Sequence, residues 1–199
     1  QAGGRQPNAA QTIDDIGKLL ELARGKRGAF YLADLTFKSN GPPDVKGAGL
    51  LQLGDKTAEG QKLLEAMQGR TAKEKVSAVK IGERNFFRIQ LVEPMPPVTW
   101  GVVGEYLVVG IGDGELEGLI HRMNGQPPAW LKDIRARLSV PRISSVTYAN
   151  AGRLVKLVAA EARSAEAEKV LAALGLDKLN RFAAIDGLDE NGCVTRALL

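Results

Sequence analysis

An α+β fold, a mainly antiparallel sheet built from hairpins with helices packed on one face, is what this sequence predicts. Three observations carry it. Short apolar runs come in pairs around glycine-containing turns, as in "VTWGVVGEYLVVGI". Helical stripes such as Leu116, Leu119, Ile120 and Met123 lie between those pairs. The two patterns do not alternate strictly, as a parallel sheet with crossover helices would require. At 199 residues, 44% of them hydrophobic, the chain can bury one real core or two small lobes.

Taken in order, residues 1–11 read as a flexible lead. Thr12 with Asp15 gives a cap-like helix start, Ile13, Ile16, Leu20 and Ala23 form its apolar stripe, and Gly25 stands where it stops. "AFYLADLTF" is strand-like, and "KSNGPPDVKG" reads as loop, because prolines donate nothing to a ladder. "GAGLLQLGDKTAEGQKLLEAM" reads strand, turn, helix, the helix burying Leu63, Leu64 and Met67. "KVSAVKIGERNFFRIQLV" is two strands around a turn at Gly82 to Asn85, with Phe87, Ile89 and Leu91 on one face and Arg88 and Gln90 on the other. The next hairpin turns at Gly104-Glu105, and the last at Asn191-Gly192.

Between them come the Leu116 helix, a second with Leu131, Ile134 and Leu138, the strand "RISSVTYAN", a third helix with Leu154, Val155 and Val158, and a fourth with Val170, Leu171 and Leu174. Gly175 with Leu176 behind it suits a left-handed helix stop. Pro-Pro pairs at 42–43, 96–97 and 127–128 are candidate joints, dividing the chain into α+β halves at 12–97 and 98–199 that can also form one continuous domain. "LQLGDKTAEG" and "VGIGDGELEG" share Gly-Asp and then Glu and Gly at equal spacing, which admits a duplication and two similar lobes.

The glycines at 110, 112 and 114 resemble a phosphate loop only superficially. A dinucleotide fingerprint starting at Gly110 needs glycine at 115, and one starting at Gly112 needs it at 117; both are glutamate. There is no Gly-Lys-Ser/Thr triplet, and Asp113, Glu115 and Glu117 would repel a phosphate. Asp113 is expected instead to cap a helix whose first turn holds the glutamates. No nucleotide is expected.

His121 is the single histidine and falls off its helix's apolar stripe, so a surface position is expected. Cys193 is the single cysteine, excludes an internal disulfide, and reads as a small half-buried residue. "DGLDENG" lacks the spacing of a calcium loop and reads as a polar hairpin turn. Asp14 and Asp15 read as first-turn dipole partners. The expectation is no catalytic residue, no metal and no cofactor.

One electrostatic feature survives. Arg122, Lys132, Arg135, Arg137 and Arg142 face a single acid, Asp133, within Arg122 to Arg142, an excess equal to the net charge of +4 of the entire chain. Trp130 lies inside that segment. These six residues, the five cations and Trp130, are the candidate contacts for an anionic polymer or an acidic protein surface. The bland reading, a solvated helix with cations near its carboxyl end, stands beside it. No apolar run approaches the ~20 residues needed to cross a bilayer.

"WGVVGEYLVVGIGDGELEGLI", "SVTYANAGRLVKLV" and "LGLDKLNRFAAIDGLDENGCVTRALL" together resemble bacterial exported or envelope-associated proteins carrying a domain of unknown function, over roughly Val98 to Leu199. That resemblance implies a non-enzymatic protein, exported to the periplasm, envelope or medium and cut from a longer precursor whose signal segment lies outside this sequence. The expected function is a non-catalytic binding or interaction module of the bacterial envelope. The alternative is a carboxylate-dependent hydrolase, since a single His and a single Cys leave little else.

Overall fold

The computed structural model describes residues 9–22, 24–37, 41, 43–70, 76–90, 95–162 and 165–198. They form two compact units, Gln1–Gly125 and Gln126–Leu199. The α+β class with hairpin-built antiparallel sheets is what the structure shows.

The N-terminal unit runs α1 (Ala9–Leu22), β1 (Gly28–Thr36), β2 (Asp44–Gln52), a 3-10 turn (Gly54–Lys56), α2 (Thr57–Arg70), β3 (Val76–Ile81), β4 (Arg84–Ile89), β5 (Val98–Val103), β6 (Tyr106–Ile111) and α3 (Glu115–Met123). All six strands pair antiparallel in the order β1-β2-β6-β5-β4-β3. The turns at Gly82-Glu83 and Gly104-Glu105 fall where the glycines placed them, with positive φ of 60° and 58° at Gly82 and Gly104.

Two expectations change here. Asp44, Val45 and Lys46 belong to β2 and not to a loop, because they pair with Thr36, Leu35 and Asp34 and complete a fourth hairpin. Proline blocks ladder donation only at its own position, and these residues follow it. The division at 97/98 falls inside the sheet, since β5 and β6 stand between β4 and β2. The units part instead beside Pro127-Pro128.

The core of this unit gathers Ala48, Phe86, Val103 and Val108 beneath Leu116 and Leu119 of α3, with Ile120 and Met123 packed at its margin. Phe86, fully buried, sets the inner face of β4, so the face centred on Phe87 is not the core one. The reason lies across the ladder: Gly101 has no side chain, and a Cβ there would stand 2.5 Å from the Phe86 ring. Phe87 pairs with Trp100 on the other side, ring centroids 6.2 Å apart, while Leu91 lies outside the described residues. Leu51 and Leu107, one position out of phase with Leu50 and Val108, point to the reverse side of the pleat and join Leu22, Leu53 and Leu63 from α1, the β2 end and α2. Leu64 is buried and Met67 half-buried, as the helix pattern required.

Helix α1 begins at Ala9, so Thr12 lies within it and is not its cap. Among its described side chains the buried ones are Asp15, Leu19 and Leu22; the side chains of Ile13, Ile16 and Leu20, and all of Ala23, lie outside the described residues. Asp14 and Asp15 sit in the second turn, not the first, and Asp14 pairs with Lys18 at 2.6 Å.

The C-terminal unit runs α4 (Ala129–Arg137), β7 (Arg142–Ala149), α5 (Ala151–Ala162), α6 (Ala165–Ala173), a 3-10 turn (Leu176–Lys178), β8 (Phe182–Asp189) and β9 (Gly192–Leu198), with strand order β7-β8-β9. Ile134, Leu138, Val140, Ala183 and Ile185 form its core, with Trp130, Val146, Val194 and Leu198 packed around them. Leu154, Val170 and Leu174 are exposed, Leu174 to 68%, and so are not the buried stripes expected of them. α5 and α6 lean on each other and on the 3-10 turn, leaving those positions in water. Gly175 ends α6 with φ 71° as expected. The two units differ in element order and strand number, and both copies of the faint repeat lie inside the first.

Candidate functional site

The glycine-rich turn has a structural purpose at each glycine. Gly110 lies against the start of α3, where a Cβ would stand 2.7 Å from the Leu116 amide nitrogen. Gly112 and Gly114 take φ of 94° and 76°, which side chains resist. Gly114 itself is the N-cap of α3 and no side chain caps the helix, so Asp113 is not the cap. Standing one residue earlier, its carboxylate reaches Arg88 Nη2 at 2.5 Å. Glu115 and Glu117 do occupy the first turn.

Arg122 is already engaged within its own unit. Its guanidinium lies 4.2 Å from the centre of the Tyr31 ring and donates to the Tyr31 hydroxyl. That hydroxyl donates in turn to Glu115 Oε2 at 2.9 Å. Burial, aided by the Glu115 hydrogen bond and opposed by Arg122, pushes the Tyr31 phenol up to about 12.

The other candidate contacts belong to the C-terminal unit. Trp130 is half-buried, stacked on Tyr148 at 4.5 Å with 17° between the planes, and packed against the core. Asp133 receives Arg137 at 2.9 Å and Arg181 at 3.5 Å. Lys132 and Arg135 are exposed on α4, and Arg142 is exposed at the start of β7. Arg142 lines an open depression with Asp189, Glu190 and Arg196, where the charges are mixed.

A second depression, lined by Tyr148, Asn150, Arg153, Lys156, Asn180 and Arg181, escaped the sequence reading. Its cations come from α5 and from the segment before β8, so no local window holds them together. The only signal at hand is Gly152, where a Cβ would stand 2.9 Å from the Leu179 carbonyl oxygen. That close approach draws the two segments together.

Cys193 is exposed, not half-buried, because alternation puts it on the side of β9 opposite Val194, which joins the core. His121 is exposed on α3. Asp186 accepts Ser145 Oγ at 2.5 Å and Thr195 Oγ1 at 2.7 Å from the flanking strands, and those two hydroxyls, Ser145 first, hold its carboxyl below the usual range. The turn after it is Glu190-Asn191, with the Asn191 amide donating to Asp189 Oδ1. Among the described residues, no three of His, Cys, Asp and Glu gather as metal ligands. On β1, Phe30 is 91% exposed.

Comparison with family models, with curated proteins and with solved structures finds no match to this chain. Among the described residues no helix is long and apolar enough to cross a membrane.

Proposed function

We propose that this chain is a non-catalytic binding module of the bacterial envelope that docks an anionic partner, a polymer or an acidic protein face, through the basic surface of its C-terminal unit. One observation carries the reading. Asp133, the single acid within Arg122 to Arg142, is taken up by Arg137 and Arg181, so Lys132 and Arg135 present charge that no acid in the segment offsets, while Arg142 shares its depression with Asp189 and Glu190. Arg122 belongs to the N-terminal unit, where it is bound to Tyr31, and is not part of this surface; Trp130, half-buried, packs beneath it against the core. The envelope location rests on the sequence resemblance.

The hydrolase alternative calls for a carboxyl raised toward neutrality to act as an acid. Asp186 is shifted the opposite way. The test is binding to an anionic polysaccharide and to a panel of acidic proteins at low and high salt, with Lys132→Glu and Arg135→Glu. Docking of this kind weakens as salt screens it over about 8 Å and fails on charge reversal. Binding indifferent to both would sink the reading, and recovery of the natural protein in the cytoplasmic fraction would remove the envelope from it.

A further inference from the structure

Strand β1 stands at one side of the six-stranded sheet, and among the described residues no strand pairs with its outer edge. One bond sets the direction of its backbone groups. The Gln52 amide donates to the Arg27 carbonyl at 2.8 Å, and Arg27 continues the ladder in which Gly28 faces Leu51. In an antiparallel ladder, hydrogen-bonded pairs alternate with pairs that share no bond. Ala29 and Tyr31 therefore bond to Leu50 and Ala48, while Gly28, Phe30 and Leu32 aim their N–H and C=O groups away from the sheet. A bulge between Leu32 and Asp34 ends that run.

The residues that point their backbone outward also carry apolar side chains. Phe30 is 91% exposed and Leu32 54%. Beside them on β2 stand Gly49 and Gly47, which offer no side chain to cover them. Folded proteins ordinarily blunt such an edge with lysine or proline, and neither occurs within Gly28–Thr36.

We propose that this edge pairs antiparallel with β1 of a second copy of the chain, about a two-fold axis at Phe30, joining two six-stranded sheets into one. Self-complementarity favours a copy over an unrelated strand. With Phe30 opposite Phe30, Gly28 falls opposite Leu32, and each outward N–H meets an outward carbonyl. The two rings then form a cross-strand aromatic pair on one face, and Leu32 meets only a glycine. The ends agree in charge as well, since antiparallel pairing brings Arg27 of each copy beside Asp34 of the other. Asp34 bonds the Leu35 amide through Oδ1 at 3.0 Å and keeps its charge there. A two-fold contact of this kind is closed and stops at two copies, whereas pairing of β1 with the opposite edge, β3, would run on into a fibre. The surface lies in the N-terminal unit, so it stands or falls apart from the docking reading.

Sedimentation equilibrium of the full chain over a concentration series is the experiment. The mass should rise from one chain to two and level there. Phe30→Lys, at a position open to solvent, should weaken association about tenfold or more by removing the ring pair and setting like charges opposite each other. Arg27→Glu should weaken it less, with an effect that high salt removes. In a Cys193→Ser background, Phe30→Cys should crosslink to its copy with a short bis-maleimide, and Lys80→Cys, on β3, should not. If Phe30→Lys alters the far-ultraviolet circular dichroism, Arg27→Glu and the crosslink decide. A mass of one chain up to about 1 mM, growth past two copies, undiminished association of folded Phe30→Lys, or equal crosslinking at position 80 overturns the proposal.

Discussion

Asp113 Oδ1 lies 2.5 Å from Arg88 Nη2, which ties the turn before α3 to strand β4. The pair is open to solvent, Asp113 most of all, so its worth is that of a surface ion pair. A double-mutant cycle of Asp113→Ala and Arg88→Ala should give a coupling below about 1 kcal/mol that shrinks further in high salt. A salt-independent coupling well above that would mean the turn depends on the pair for its shape.

Gly110 and Gly17 should respond to alanine in opposite directions. At Gly110 the added carbon meets backbone of α3 at 2.7 Å, which neither element can yield cheaply, so Gly110→Ala should cost about 1–3 kcal/mol. At Gly17, in α1, a Cβ meets nothing within 4 Å, and Gly17→Ala should stabilise by up to about 1 kcal/mol through helix propensity. Urea unfolding midpoints read both.

Tyr31 supplies a pH dependence on the alkaline side. Its phenol is raised from 10.0 to about 12 in the fold, chiefly by burial. A group raised on folding lends its stability fully below the unfolded value and loses it as pH climbs through the folded one. This contribution should therefore persist to about pH 10 and vanish through about pH 12. Absorbance of tyrosinate should show a late step that Tyr31→Phe deletes; an unchanged titration in that variant would refute the assignment.

Asp186 works in the acid range with the opposite sign. Ser145 and Thr195 lower its carboxyl, so the stability it lends is present above the unfolded value and lost as pH falls through the folded one. Ser145→Ala should move the carboxyl back up, and more so than Thr195→Val. Carbon-detected NMR of the Asp186 side chain checks the order.

What the sequence made legible were features written in neighbouring residues. The hairpins at Gly82 and Gly104, the α3 stripe and the Gly175 stop all depend on period and turn chemistry within a few positions, and the last hairpin turns at Glu190-Asn191, one residue before the expected Asn191-Gly192, because Gly192 already pairs with Asp189. What escaped it was set across strands. Phe86 and not Phe87 faces the core because of Gly101 on the next strand; Asp113 leaves the helix end because Arg88 lies beside it on β4. Of the basic residues, Lys132, Arg135 and Arg142 were visible as a charged window, but nothing local says that Asp133 would be shared with Arg181, or that Arg153, Lys156 and Arg181 converge.

Strand β6 enters the six-stranded sheet between β2 and β5, although β2 precedes it by more than fifty residues. Until Tyr106–Ile111 is made, the unit can exist only as a β1-β2 hairpin and a β3-β4-β5 meander, each showing a naked edge of unpaired amides and carbonyls. The last strand to arrive is thus the keystone, closing both edges at once and delivering α3 onto Phe86 and Val108. During synthesis the first unit must wait for it, exposed to wrong partners, so the burden of chaperoning falls on the interval before residue 111 leaves the ribosome.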